Sequence, residues 1–146
     1  MKLITTLFLA LVSVSLHAQD VTSTMEKRAR EMARVISVND PAAWKKFVLE
    51  NYTQALIDKP MRATVNENGG TSTTTATEST NLDAKVKLFE RLHNDFGDHD
   101  LVSINTKDQQ VEMVLLNSQG LRGTFKLTFE KTKPYLISGL GIEAGN

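Results

Sequence analysis

The chain has 146 residues, with 17 basic and 17 acidic side chains, a formal net charge of zero and no cysteine. That balance, with no basic stripe interleaved with aromatics, argues against electrostatic binding to nucleic acid or to an anionic membrane. Without cysteine there is neither a disulfide framework nor a lipoprotein-type lipid anchor, so stability must come from a packed core.

The N-terminus reads as an export signal spanning residues 1–18. Lys2 supplies a positive start, Leu3 to Leu16 is almost wholly apolar or small, and Ala18 is the expected last residue before cleavage. Leu16 departs from the small residue preferred two positions earlier. The apolar run is about 14 residues, or roughly 21 Å as a helix, too short for the ~30 Å hydrocarbon core. No stable membrane anchor is expected after cleavage, and the product is expected to be periplasmic or secreted. Removing the leader takes one lysine and leaves 128 residues, enough for a single domain, 19–146.

Thr24 to Val38 is expected as the first helix. Ser23 and Glu26 fit a capping box, and Met25, Ala29, Met32, Ala33 and Ile36 form an apolar stripe. The mixed-sign set Glu26, Lys27, Arg28, Arg30, Glu31 and Arg34 reads as its solvated face. Asn39-Asp40-Pro41 restarts the chain into a second helix, with Asp40 as N-cap and Pro41 in the first turn. This helix is expected to run to about Asp58, with Trp44, Phe47, Val48, Tyr52, Ala55 and Leu56 inward and Pro60 beyond its end.

Met61 to Val65 reads as a short strand or the first leg of a loop. Asn66 to Asn81 is rich in Asn, Gly, Thr and Ser and poor in apolar residues, so a flexible loop is expected at 66–81. A third helix follows from Asn81 to Phe96, with Leu82, Val86, Phe89, Leu92 and Phe96 on one side and Gly97 as its stop.

Four strands complete the chain. They are Leu101 to Thr106, Val111 to Leu116, Thr124 to Lys131 and Tyr135 to Ile142. The second is apolar on both faces, as a central strand would be. The third alternates cleanly, with Phe125, Leu127 and Phe129 inward and Lys126 and Thr128 outward. Gly139 and Gly141 mark a bulge or bend in the fourth. Helices followed by a strand meander give an α+β class, three helices on a four-stranded antiparallel sheet.

Chemistry is sparsely signalled. His93, Asp95, Asp98, His99 and Asp100 form the densest His/Asp cluster. The two histidines are six residues apart, unlike the helical HExxH spacing, and the acidic spacing does not fit an EF-hand. A polar helix end is the plainer reading, and no metal is expected. Gly139-Leu140-Gly141-Ile142-Glu143-Ala144 matches a dinucleotide fingerprint by letters, but no helix follows to hold a pyrophosphate. No cofactor is expected. Nucleophilic hydrolysis lacks its motifs, with no GxSxG elbow and no SxxK set. Asn51-Tyr52-Thr53 is an N-glycosylation triplet inside a predicted helix and reads as chance. Trp44, Tyr52 and Tyr135 are the candidate binding residues, because amphipathic aromatics line pockets and offer a polar tip.

Four segments carry a family resemblance: Phe47 to Tyr52, Lys85 to His93, Gly123 to Glu130 and Pro134 to Ile142. Together with the signal ending in His17-Ala18-Gln19-Asp20, they resemble the small exported bacterial domain found ahead of the catalytic domain in secreted serine hydrolases related to β-lactamases. The resemblance implies a cystatin-like or nuclear-transport-factor-like roll with an accessory role. The chain stops at Asn146, where the hydrolase would begin, so hydrolase activity does not carry over. The expected function is therefore a non-enzymatic exported binding or interaction module. Its partner would be a protein or a small apolar ligand, with the module acting alone or beside a separately encoded hydrolase. The alternative is a small pocket enzyme on the same roll, with His93, Asp95, Asp98 or His99 as acid–base groups.

Overall fold

The computed structural model describes the backbone over residues 3–67, 70–75 and 81–145, and side chains over 19–61 and 81–145. Among the described residues, four helices precede a four-stranded antiparallel sheet, an α+β arrangement. The helices are α1 (Leu3–Ile36), α2 (Pro41–Asn51), α3 (Gln54–Asp58) and α4 (Asn81–Phe96). Between α3 and α4 lies a hairpin of β1 (Arg62–Glu67) and β2 (Gly70–Thr75). The main sheet is β3 (His99–Lys107), β4 (Gln110–Asn117), β5 (Arg122–Phe129) and β6 (Ile137–Gly145), in that spatial order.

The first helix does not begin at a Ser23 cap. It runs unbroken from Leu3, because no glycine or proline interrupts the chain there. Ser23 therefore sits mid-helix, and the Thr24 hydroxyl donates to the Asp20 carbonyl. The apolar stripe is as the spacing predicts: Met25, Ala29, Met32, Ala33 and Ile36 are all buried.

The second expected helix is two. Asp40 caps α2 by accepting from the Ala42 N–H at 2.9 Å, and Pro41 opens the first turn. At Tyr52 the backbone turns extended (φ −96°, ψ 148°) and forms a parallel bridge to Ile137 of β6. The Thr53 N–H donates to the Ile137 carbonyl at 2.9 Å, and the Thr53 side chain then caps α3 through the Leu56 N–H. A hydrogen bond to the sheet thus replaces a helical one. The break turns Ala55 to the surface and buries Ile57 beside Leu56.

Where a loop is expected at 66–81, the backbone pairs Arg62–Glu67 with Gly70–Thr75 in register from Arg62↔Thr75 to Glu67↔Gly70. The threonines that suggest low hydrophobicity are also β-branched and suit an extended chain. Residues 68, 69 and 76–80 of that stretch lie outside the described residues.

In the sheet, Phe125, Leu127 and Phe129 of β5 are buried and Lys126 is exposed. Their neighbours Met113 and Val111 on β4, and Ile142, Leu140 and Ile137 on β6, continue the same inner face. α1 lies against β3 and β4, and α4 packs on α1, α2 and β4. β4 is an interior strand, buried at Val111, Met113, Leu115 and, on the opposite face, Val114. β6 begins at Ile137 rather than Tyr135, which has a positive φ of 54° and closes a turn on the Thr132 carbonyl. Pairing slips between Thr128↔Gly139 and Phe129↔Ile137, leaving Ser138 as the extra residue of a bulge beside Gly139.

Two side chains fix how the layers sit. Gly123 of β5 lies beneath the Phe96 ring, and a Cβ there would come within 2.6 Å of Phe96 Cζ. The glycine is thus the socket that lets the end of α4 approach the sheet. Arg28 of α1 reaches Asn51 Oδ1 at the end of α2 and donates to the Pro134 carbonyl at 2.9 Å in the turn before β6. Sequence places Arg28 on the solvated face, but burial lowers its pKa, and its Nε has no partner among the described residues.

Candidate functional site

The break at Tyr52 builds a cavity of about 310 Å³ where α3, the segment after it, α4 and the edge strand β6 meet. Its apolar wall comes from Leu56, Met61, Leu88 and Leu140, and its polar part from Tyr52, Lys59 and Lys85. Leu140 continues the inner face of the sheet but is only half-buried.

Tyr52 is 3% exposed, and its hydroxyl has no hydrogen-bond partner among the described residues. Its ring packs edge-on against Phe47 with centroids 6.0 Å apart. Burial raises its pKa above the ordinary 10.0, and at physiological pH the group is a neutral phenol with or without that shift. A buried hydroxyl without a partner is uncommon in folded proteins and marks a place where something else can bind.

Lys85 is 5% exposed, on the buried side of α4. It donates to the Lys59 carbonyl at 2.6 Å, and Asn81 donates to the Asp58 carbonyl. Together they close the C-terminal end of α3, where free carbonyls favour a cation. Desolvation lowers the Lys85 pKa, with repulsion from Lys59 adding to it. One of its three N–H groups is used on the carbonyl. Sequence reading passes over Lys85, yet its position carries a signal. Residues 85, 89, 92 and 96 fall on one helical stripe, and the other three are Phe89, Leu92 and Phe96.

The other expected binding residues do not line this cavity. Trp44 is core, with its indole N–H shared between the Val35 and Val38 carbonyls at 2.8 and 2.9 Å. Tyr135 is half-buried in the turn before β6.

The acid–base candidates gather at the far end of α4. His93 Nδ1 faces the Ile36 carbonyl at 2.9 Å, so that nitrogen carries the proton, and the ring packs 5.9 Å from Trp44. His99 Nδ1 faces the Phe96 carbonyl, and Asp98 accepts from the Ser118 hydroxyl. Asp95 is exposed, and its backbone carbonyl accepts from the Asn117 side chain at 2.7 Å. These contacts tie off a helix end and a strand turn. None of the four residues lines the Tyr52 cavity. Among the described residues no group of three or more His, Asp or Glu is placed to hold a metal ion, and no helix is long and apolar enough to cross a membrane.

No family model matches the chain, and no curated protein or solved structure matches it either.

Proposed function

We propose that the protein is an exported, non-enzymatic binding module that takes a small ligand in the cavity between α3, α4 and β6. The observation that carries this reading is the cavity itself, mostly apolar in its wall and lined by Tyr52, whose buried hydroxyl has no partner among the described residues. Apolar walls with a few polar groups are the usual composition of small-molecule sites. The leader-like run from Leu3 to Ala18 supports export, to the periplasm or beyond. Helices packed on one face of a four-strand meander support reading the fold as a cystatin-like or nuclear-transport-factor-like roll. The resemblance of the Lys85 to His93 and Gly123 to Glu130 segments to accessory domains supports a role beside a separately encoded hydrolase.

A neutral apolar probe tests the cavity without presuming its natural ligand. Benzene added to methyl-labelled protein should shift the methyl resonances of Leu56, Leu88, Leu140 and Met61. Shifts at none of these four would remove the binding reading. Shifts at Ile36, whose carbonyl faces His93, instead would move the site to the far end of α4.

A further inference from the structure

The composition of the cavity narrows what it accepts. Resting on the reading of this cavity as the binding site, we infer that its ligand is a free monoanionic amphiphile: one carboxylate on an apolar body of about eight carbons.

Charge is the first argument. Among the described residues that line it, two are lysines and none is acidic. The ion pairs among the described residues use neither Lys59 nor Lys85. Lys85 is held in the wall by its bond to the Lys59 carbonyl, with two N–H groups left over. Burying a cation without a counter-charge is unfavourable, and an anionic ligand relieves that. Tyr52 is also a lining residue, and as a neutral phenol it can donate to an oxyanion.

Donor number is the second. A lysine N–H and a phenol O–H match the two oxygens of a carboxylate. A phosphate brings three strong acceptor oxygens and up to two charges, more than these groups satisfy. Size is the third. At roughly 30 Å³ per water-sized group, 310 Å³ holds about ten heavy atoms. Leu56, Leu88, Leu140 and Met61 suit a hydrocarbon body and leave its polar atoms nowhere to bond.

Three ligands with one tail and different heads decide the matter: octanoate, 1-octanol and octylammonium, titrated calorimetrically into the intact protein. Octanoate should bind at one site at least tenfold more tightly than octanol, and octylammonium should not bind. Lys85→Met should weaken octanoate at least tenfold while leaving octanol within about twofold. Lys85→Arg should restore most of the octanoate affinity. Tyr52→Phe should weaken octanoate severalfold, and thermal melts identify any variant that fails to fold. If octanol binds as tightly as octanoate, the carboxylate inference is overturned while the cavity stands as a binding site. If octylammonium binds best, the charge argument is overturned. If none binds and benzene leaves the four methyl groups unmoved, the binding reading and this inference fall together. If benzene moves them and none of the three binds, only the ligand class falls.

Discussion

Tyr52 belongs to two structures at once. Its backbone leaves the helix to bridge Ile137, and its ring closes the wall of the cavity. Its hydroxyl is the least satisfied part of that arrangement, since a buried donor without a partner costs about 1–3 kcal/mol. Tyr52→Phe should therefore raise the unfolding free energy of the ligand-free protein by about 1 kcal/mol in urea titrations. A loss of stability would mean that the hydroxyl has a partner. The phenol also sets a pH dependence. Its folded pKa lies above the unfolded value, so the unfolded chain releases the proton first as pH rises past 10.0. The contribution is complete below that pH and declines above it. Wild-type protein should lose stability relative to Tyr52→Phe between about pH 10 and 11 in chemical melts. Parallel curves would show that burial does not hold the proton.

Strands and helices differ in how openly the sequence announces them. The alternation in β5 is legible because one face meets helices and the other meets solvent, so Phe125, Leu127 and Phe129 cannot exchange with Lys126 and Thr128. Phe129→Ala should cost about 3–5 kcal/mol in unfolding free energy, and a loss below about 1 kcal/mol would refute the register. The break between α2 and α3 is illegible because no glycine or proline marks it. Its cause is the bond from Thr53 to Ile137, between residues 84 positions apart in the chain. Helical periodicity carries Ala55 and Leu56 inward together, and only that contact separates them. β6 is half-legible: its glycines foretell a bulge, but its start is set by the turn at Tyr135. The site follows the same division. Tyr52 stands out as an aromatic with a polar tip, whereas Lys85 is hidden by its residue type and visible only through its place on the α4 stripe.

For the whole molecule, the question is which part of the chain is needed for the fold. Among the described residues, the α1 stripe that packs into the core includes Val21 and Met25, beyond the expected cleavage point at Ala18. A protein starting at Gln19 should therefore unfold in one transition, with a midpoint within about 2 °C of that of the full chain. A large drop would show that the turns before Gln19 stabilise the domain, which would be incompatible with their removal on export. Mass spectrometry of the exported product should find Gln19 at its N-terminus, and an intact Met1 would refute the signal reading. Cooperative unfolding follows from the shared core, since α1, α2, α4 and the sheet bury their apolar residues in one cluster.

The socket at Gly123 has a consequence at a distance. α4 has 16 residues, so it is about 24 Å long, with Phe96 seated over Gly123 at one end and Lys85 and Leu88 at the cavity toward the other. The helix is in effect a beam resting on a notch. A side chain placed in the notch would press on the Phe96 and Phe125 rings, with a Cβ 2.6 Å from Phe96 Cζ, so the ring or that end of the helix must shift. A rigid beam raised at one support tilts at the other, so where the helix is the part that shifts, the cavity changes width through a residue outside its lining. Gly123→Ala should therefore alter the cavity from the opposite end of the domain, through the addition of a single methyl group.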